Sequence, residues 1–361
     1  NARAGNGGQN NQDDNDFNMQ YVDVDALGTT FCSSAAVLSL PSGATVLWAG
    51  LYWGGASTNA ARNQCQLSTP VAANQAITAT QLDAYAPDDY QGFRDVTALV
   101  TAGGNGTYMV ANVQSTPNTT NVYAGWALVV AYRLASLPQR NIVTWDGYAN
   151  VNGAPVNIPV SGFVTPPGGT VNTRMGVVAY EGDIGLTGDS FSLNGTALGN
   201  ALNPTTNFFN SSITALGAHV TSKAPNYVNQ LGFDIDLLSL VNALPNSATS
   251  ATISLSTSGD QYFPGVVTFV TDLYAPVITG NSFKKTVVDV NGAPARPGDV
   301  VLGSVMTGLT LDPSPERPPH FPCTRSIGVE IAKAFRGKPM CARQMPRNQL
   351  SAERGAFEHI E

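Results

Sequence analysis

From Phe17 to Pro276 the chain is a series of short β-type runs separated by turn residues, and this pattern limits what it can fold into. Gly, Pro, Asn and Asp bound the runs at 107–113, 126–132 and 266–270, as is typical of strands. The run at 44–53 is more continuously apolar, which predicts a strand buried on both faces. Because no helices of about 10–15 residues separate the runs, a parallel α/β sheet is excluded. We therefore predict an all-β fold, with a large domain of the β-sandwich or jelly-roll kind.

Two segments carry helical signals. Residues 95–101 predict one or two helical turns with Asp95 as the N-cap. Residues 234–243, with the sequence DIDLLSLVNA, predict a longer helix that ends before Pro245.

Composition narrows the class of protein. Charged residues make up only 12% of the chain, against about 25% in an ordinary soluble protein. The net charge of −7 argues against a nucleic-acid-binding protein, which would present a basic face. No apolar run reaches the roughly 18 residues that a membrane span needs. We expect an extracellular or cell-surface protein from which a signal peptide has been removed.

The predicted organisation has four parts. Residues 1–16 form a flexible N-terminal arm, residues 17–276 the large domain, and residues 277–312 the start of a second, immunoglobulin-like β-domain. Residues 313–361 are an atypical tail, since Asp disappears and basic residues outnumber acidic ones there. Two interpretations of the tail stay open: a basic segment with an amphipathic helix at 327–335, or the product of a change of reading frame.

Residues 284–300, with the sequence KKTVVDVNGAPARPGDV, carry a KTV-type strand, an NG turn and a PGD turn. This stretch resembles the opening of the bacterial surface repeat called the DUF11 domain, and residues 17–276 resemble the β-rich region that precedes such repeats. The matching pieces include AGLYWGG at 49–55, YAGWALVV at 123–130 and GFDID at 232–236. The resemblance implies immunoglobulin-like stalks, secretion and surface display, and it implies no particular chemistry.

Carboxylates are the chemically useful groups that cluster in the sequence. The Gly-rich stretch 181–189 holds Glu181, Asp183 and Asp189, and a loop of this kind supplies the oxygen ligands that Ca²⁺ prefers. Asp14 and Asp16 begin a pattern like an EF-hand loop, but no Gly stands at its sixth position and no helices flank it. We therefore predict calcium binding by these five residues, on the loop at 181–189 and, as a site other than an EF-hand, at Asp14 and Asp16. The alternative is that the acids cap turns.

Aromatic and cysteine residues suggest two further features. Tyr85, Tyr90, Phe93, Tyr227 and Tyr262 lie in turn-rich segments, where they are candidates for exposed binding loops. The tryptophans and Tyr52 lie in apolar runs and are expected in the core. Cys32 and Cys65 are a plausible disulfide in a secreted chain, and two buried free thiols are the alternative.

The function predicted from these features is non-enzymatic: a bacterial surface protein for adhesion or surface structure, in contact with a surface glycan or with like subunits. One alternative is a polysaccharide hydrolase that uses Glu181 and an Asp partner such as Asp234. Another is a filament subunit whose N-terminal arm adds a strand to the next copy. No catalytic residues are assigned.

Overall fold

The computed structural model describes residues 1–6 and 12–274, together with the backbone of strands at 283–289, 301–307, 341–343 and 355–360. The chain divides into two compact units. The first unit comprises residues 1–274 and 335–361, and the second comprises residues 275–334. The first unit is built almost wholly from strands, so the all-β prediction is confirmed.

Most strands of the first unit precede residue 275. In chain order they are β1 (Ser33–Leu38), β2 (Thr45–Ala56), β3 (Gln64–Thr69), β4 (Ala72–Thr78), β5 (Gln81–Ala84), β6 (Asp89–Asp95), β7 (Gly106–Ala111), β8 (Ala124–Arg133), β9 (Arg140–Asp146), β10 (Val156–Ser161), β11 (Asn172–Tyr180), β12 (Ser190–Leu193), β13 (Thr196–Ala197), β14 (Ile213–Ala215), β15 (Ala218–His219), β16 (Lys223–Ala224), β17 (Phe233–Val241), β18 (Ser250–Ser256) and β19 (Phe263–Asp272). The strands β20 (Phe283–Asp289) and β21 (Val301–Thr307) belong to the second unit, and β22 (Cys341–Arg343) and β23 (Gly355–Ile360) complete the first. Short 3₁₀ turns lie at Ala2–Ala4, Asp14–Asp16 and Ala60–Asn63.

These strands form four sheets, named I to IV. Their strand orders are β16-β1-β7-β3-β4 in sheet I, β23-β8-β2-β6-β5 in sheet II, β15-β14-β17-β11-β19-β9-β22 in sheet III and β10-β18-β12-β13 in sheet IV. In the described part of the chain, β14 and β17 pair in parallel, and the other strand pairs are antiparallel. Sheet III carries the strands that end at the candidate site.

The sheets stack in four layers around three hydrophobic cores, between I and II, between II and III, and between III and IV. Sheets II and III are therefore covered on both faces. Along β2, Leu51 and Trp53 enter the core shared with sheet I, while Tyr52 enters the core shared with sheet III. This alternation explains why the run at 44–53 is apolar at nearly every position, and it confirms the prediction of a strand buried on both faces.

One helical prediction is confirmed and one is wrong. Helix α1 spans Thr97–Gly103, but its N-cap is Val96 and not the predicted Asp95, whose carboxylate accepts the Thr97 N–H at 2.9 Å. The helix predicted at 234–243 is not formed, because Phe233–Val241 is strand β17, paired with β11 and β14. Alternate residues enter opposite cores there, because β17 lies inside sheet III. No helix of the described residues has the length and apolar character of a membrane span.

The second unit contains a hairpin of β20 (Phe283–Asp289) and β21 (Val301–Thr307). The hairpin falls within the predicted immunoglobulin-like domain at 277–312. The other residues of that stretch, and the helix predicted at 327–335 in the tail, lie outside the described residues.

Cys32 and Cys65 are free, buried thiols, so the predicted disulfide is wrong. Ser33 of β1 and Gln66 of β3 both pair with Ala111 of β7, which places a whole strand between the two cysteines. Two inter-strand spacings separate them by about 10 Å, beyond the roughly 7 Å Cα separation that a disulfide tolerates.

Candidate metal centre

Three carboxylates meet inside the first unit at the end of β11. Glu181 follows the last residue of β11, Asp183 lies two residues further on, and Asp14 comes from the 3₁₀ turn at Asp14–Asp16. One carboxylate oxygen from each lies within 4.8 Å of the others, and all three residues are buried. We call this group the acidic triad. It joins two of the acidic segments singled out in the sequence, which are far apart in the chain.

Backbone contacts hold the triad together. The Glu181 N–H donates to the Gly232 carbonyl at 2.8 Å, and Glu181 has a positive φ of 71°, which is uncommon for a residue with a side chain. The Asp14 N–H donates to the Asp183 carboxylate at 3.4 Å. Gly232, with a φ of 88°, lets the chain approach closely, since a Cβ there would lie 3.0 Å from an Asp14 oxygen. The backbone at Glu181 and Gly232 thus adopts the conformation that allows the three acids to meet.

The described parts of the N-terminal arm are docked against the same region. Asp13 accepts the Gly185 N–H at 2.7 Å, and Gln12 O accepts the Asn229 side-chain amide at 2.6 Å. Arg3 O accepts the Asn229 N–H at 3.2 Å. The prediction of a flexible arm is therefore wrong for residues 1–6 and 12–16, because these segments have fixed partners within their own chain.

Burial and mutual repulsion make it unfavourable for the three carboxyl groups to be charged when no cation is bound. Burial is the largest cause, and it raises the pKa of Asp14 to about 7, that of Asp183 to about 9 and that of Glu181 to about 11. The charged groups that add to these shifts are other carboxylates, with Asp260 first for both Glu181 and Asp14. Without a positive partner, acids in such a site hold protons.

Several oxygens of the triad lack hydrogen-bond partners among the described residues. Both Asp14 oxygens and Glu181 Oε2 are buried without one, whereas the Asp183 oxygens accept from Asp14 N and Asn15 Nδ2 at 3.4 Å each. Buried polar atoms are normally paired, so unpaired ones mark a place where another group binds. Carboxylate oxygens brought together in this way suit a hard divalent cation.

The other predicted ligands behave differently. Asp16 caps the turn, since its Oδ2 accepts the N–H groups of Gln12 and Asp13 at 2.9 and 3.1 Å, so the turn-capping alternative describes it better than a ligand. Asp189 is fully buried, but its oxygens do not belong to the group that lies within 4.8 Å.

Sequence reasoning missed Asp260, whose carboxylate acts on Asp14, Glu181 and Asp183. It lies in the loop between β18 and β19. A signal was present, because Gly259-Asp260 repeats the Gly-Asp dipeptides at 182–183 and 188–189. Gly before Asp lets a loop pass close to other backbone while it presents a carboxylate.

The predicted exposed aromatic loops are largely wrong. Tyr90, Phe93 and Tyr262 are buried, because β6 carries the first two into cores and Tyr262, just before β19, pairs with Val151 and packs in the core between sheets III and IV. Tyr85 is exposed, at 56%. Tyr227 is partly buried beneath the Arg3 guanidinium, 4.7 Å from the ring centre, and lines a cavity of about 170 Å³. Tyr52 and Trp53 are fully buried, which confirms their expected place in the core.

Asp234, the proposed hydrolase partner of Glu181, lies behind the loop rather than across a cleft. It is fully buried, and its Oδ1 accepts the Ser212 N–H at 3.0 Å. A Cβ on Gly182 would come within 2.5 Å of Asp234 Oδ2, so the loop packs directly on this side chain. The loop backbone therefore covers Asp234 on the side of Glu181.

Neither a family model nor a curated protein matches the chain. Among solved structures, it is similar to the VP2 subviral particle of infectious bursal disease virus, at 10% identity and a TM-score of 0.22, over 67% of this chain and 55% of that one. It is also similar to T=1 particles derived from that virus, at 12% identity and a TM-score of 0.20, over 68% of this chain and 55% of that one. The major capsid protein P2 of bacteriophage PM2 matches at 9% identity and a TM-score of 0.18, over 67% of this chain and 98% of that one. Likenesses at these TM-scores carry no argument about function.

Proposed function

We propose that this chain is a non-enzymatic structural protein of the cell exterior, and that a divalent cation bound by Asp14, Glu181 and Asp183 stabilises its large β-unit. The proposal rests on the acidic triad. Its three buried carboxylates each offer an oxygen within 4.8 Å of the others, and several of the oxygens have no hydrogen-bond partner among the described residues. A cation there would tie the N-terminal arm to the end of β11.

Calcium is the ion that fits this donor set best. The triad offers oxygen ligands, whereas structural zinc sites favour Cys and His. Two oxygens on one Ca²⁺, each about 2.3–2.6 Å from it, lie at most about 5 Å apart, and the triad oxygens, all within 4.8 Å of one another, fall inside that limit. Magnesium demands a tighter octahedron and keeps several waters, which a buried site of this kind accommodates poorly.

The burial of the site favours a structural role over catalysis. Glu181 is only 4% exposed, and Asp14 and Asp183 are fully buried. A glycosidase places its two carboxyls on either side of a substrate-filled cleft. A cation that is sealed from substrate instead holds segments together. If Glu181→Gln lowered turnover of a polysaccharide by the purified protein, the hydrolase alternative would return.

A place at the cell exterior is supported by composition and by the surface-protein resemblance. Charged residues make up only 12% of the chain. Extracellular modules bind Ca²⁺ weakly, with dissociation constants of about 10⁻⁴–10⁻³ M. Contact with like subunits stays part of the proposal. Glycan binding has less support, because three of the five aromatic candidates are buried. The docked arm also weakens the donor-strand alternative.

The test is thermal unfolding of the full chain with EDTA and with increasing CaCl₂, followed by tryptophan fluorescence. Calcium at about 100 times its dissociation constant stabilises the folded state by about 2.7 kcal/mol. For a unit of about 300 residues that is an increase in Tm of roughly 4 °C. Magnesium at the same concentration is expected to have a smaller effect.

The variant Glu181→Gln distinguishes a cation site from the alternative that the acids only cap turns. The variant should lose the calcium-dependent rise in Tm, yet in EDTA at neutral pH it should be as stable as the parent protein or more so, because Gln needs no proton, whereas Glu181 must take one up to be buried. The matched control is Asp95→Asn, a carboxylate-to-amide change at an exposed position, where the Asn oxygen still accepts the Thr97 N–H; it should change Tm little, and equally with and without calcium. Equal loss of stability by Glu181→Gln in both conditions would overturn the proposal.

A further inference from the structure

A cavity of about 170 Å³ lies within the first unit, lined by residues of β1, β8, β16 and β17 and of the N-terminal arm. We call it the β8 cavity. Its volume is similar to that of a cavity of about 150 Å³ that holds one benzene molecule. No acid of the triad lines it, so it is a separate site. A ligand whose body is the size of one aromatic ring therefore fits the space.

The buried side chains that line the β8 cavity are mostly apolar. They include Val110, Val113, Trp126 and Phe233. The Trp126 indole N–H already donates to Ser34 Oγ at 2.7 Å, so its polar atom has a partner within the chain. Such walls give a ligand dispersion contacts, and they penalise polar groups that would be buried there without a partner. The buried part of the cavity thus favours an apolar ligand body.

Two cationic side chains line the more exposed part of the β8 cavity, around Tyr227. The Arg3 guanidinium carbon lies 4.7 Å from the centre of the Tyr227 ring, and the Lys223 ammonium donates to the Tyr227 carbonyl. All three residues line the cavity and are partly exposed. None of the described residues that line it is acidic. The cavity therefore joins an apolar interior to a positively charged end.

Arg3 has no carboxylate partner among the described residues. Its Nη1 donates to the carbonyls of Asn229 and Gln230, at 3.4 and 2.5 Å, and its Nε and Nη2 make no hydrogen bond within the described part of the chain. A guanidinium carries five N–H donors, and a carboxylate accepts two of them side by side. Burial is the largest influence on the pKa of Arg3, and it lowers that pKa because no nearby carboxylate offsets it. An anion in the cavity would supply the missing partner.

We propose that the β8 cavity binds a small carboxylate with an apolar body, of which an aromatic monocarboxylate is the simplest example. Its carboxylate pairs with Arg3 and Lys223, and its ring lies against Trp126 and Phe233. An inorganic anion would leave the apolar walls without contacts, and an uncharged aromatic would leave Arg3 without its partner. The inference goes beyond the proposed function, because the site is separate from the acidic triad and needs no bound cation.

The experiment is a titration of the full chain with sodium benzoate, followed by saturation-transfer NMR, with benzyl alcohol as the uncharged analogue. The parent protein is expected to bind benzoate with a Kd of about 1 mM or lower, and benzyl alcohol about ten times more weakly. Arg3→Gln is expected to weaken benzoate binding about 10- to 100-fold, the contribution of hydrogen bonds to a charged group, and to leave benzyl alcohol binding unchanged. Lys223→Gln is expected to act in the same direction. The matched control is Arg94→Gln, at an exposed position outside the cavity.

The outcomes decide between a specific site and none. Benzoate binding that weakens in Arg3→Gln and Lys223→Gln but not in Arg94→Gln, with circular dichroism showing all three variants folded, supports the site. Equal weakening in the three variants overturns it, because the effect then follows from net charge alone. Equal affinity of the parent protein for benzoate and benzyl alcohol overturns recognition of the carboxylate. Absence of benzoate binding by the parent protein overturns the whole inference and leaves the cation proposal untouched.

Discussion

Asp236→Asn is expected to change how stability depends on pH. Asp236 lies on β17 and is fully buried, and its Oδ1 accepts hydrogen bonds from Asn203 Nδ2 at 3.0 Å and from Thr214 Oγ1 at 2.7 Å. Its Oδ2 is buried without a partner among the described residues. Burial is the largest cause that raises its pKa, to about 7. Asp234 lies two residues away on the same face of the strand.

The direction of the effect follows from proton binding. An unfolded Asp has a pKa near 3.9, so between about pH 4 and pH 7 the folded chain holds a proton that the unfolded chain has lost. The contribution of Asp236 to the free energy of unfolding is therefore highest below about pH 4 and falls as pH rises to about 7. Three pKa units at about 1.4 kcal/mol each correspond to roughly 4 kcal/mol, as an upper limit for one site.

The variant removes this dependence. An Asn oxygen accepts the same two hydrogen bonds, while its NH₂ group, buried without an acceptor, costs about 1–3 kcal/mol at every pH. Asp236→Asn should thus be less stable than the parent protein near pH 4.5 and as stable or more stable near pH 8. The assay is urea unfolding in EDTA at pH 4.5, 6 and 8, followed by tryptophan fluorescence.

Asp95→Asn, at an exposed position, measures the effect of the same change of side chain in contact with solvent. If the difference in unfolding free energy between Asp236→Asn and the parent protein stays constant from pH 4.5 to 8, the reasoning is refuted. Asp236 would then hold the same charge in the folded and unfolded chains across that range.

Two further predictions concern the cores. Cys32 and Cys65 should both react with iodoacetamide in the unfolded protein without prior reduction, as judged by mass spectrometry of their peptides; labelling only after reduction would contradict the free thiols. Gly125→Ala should destabilise the protein by about 1–3 kcal/mol in urea unfolding, since its Cβ would lie 2.5 Å from the Phe233 ring. Gly168→Ala, with nothing within 4 Å of its Cβ, is the control, and equal effects of the two would contradict the packing described between sheets II and III.

The acidic site shows which ligands can be predicted from local sequence and which cannot. Residues 181–189 stand out because Glu and Asp alternate with Gly in one short stretch, and this local pattern is enough to predict ligands at Glu181 and Asp183. Asp14 is also predicted, from a separate segment. Asp260 is missed although Gly259-Asp260 repeats the Gly-Asp dipeptide, because the dipeptide does not show which distant loop it faces.

The sequence by itself determined the all-β class, since strand periodicity and turn residues are local properties that each short segment carries alone. It also marked the doubly covered strand at 44–53. Only the tertiary structure decided that residues 233–241 are a strand, because a short apolar run fits either a helix or a strand until its neighbours β11 and β14 supply hydrogen-bond partners. The separation of Cys32 from Cys65 by β7, and the meeting of Asp14 with Asp183, were likewise decided there. Each depends on distances between segments that are remote in the chain, and packing alone sets those distances.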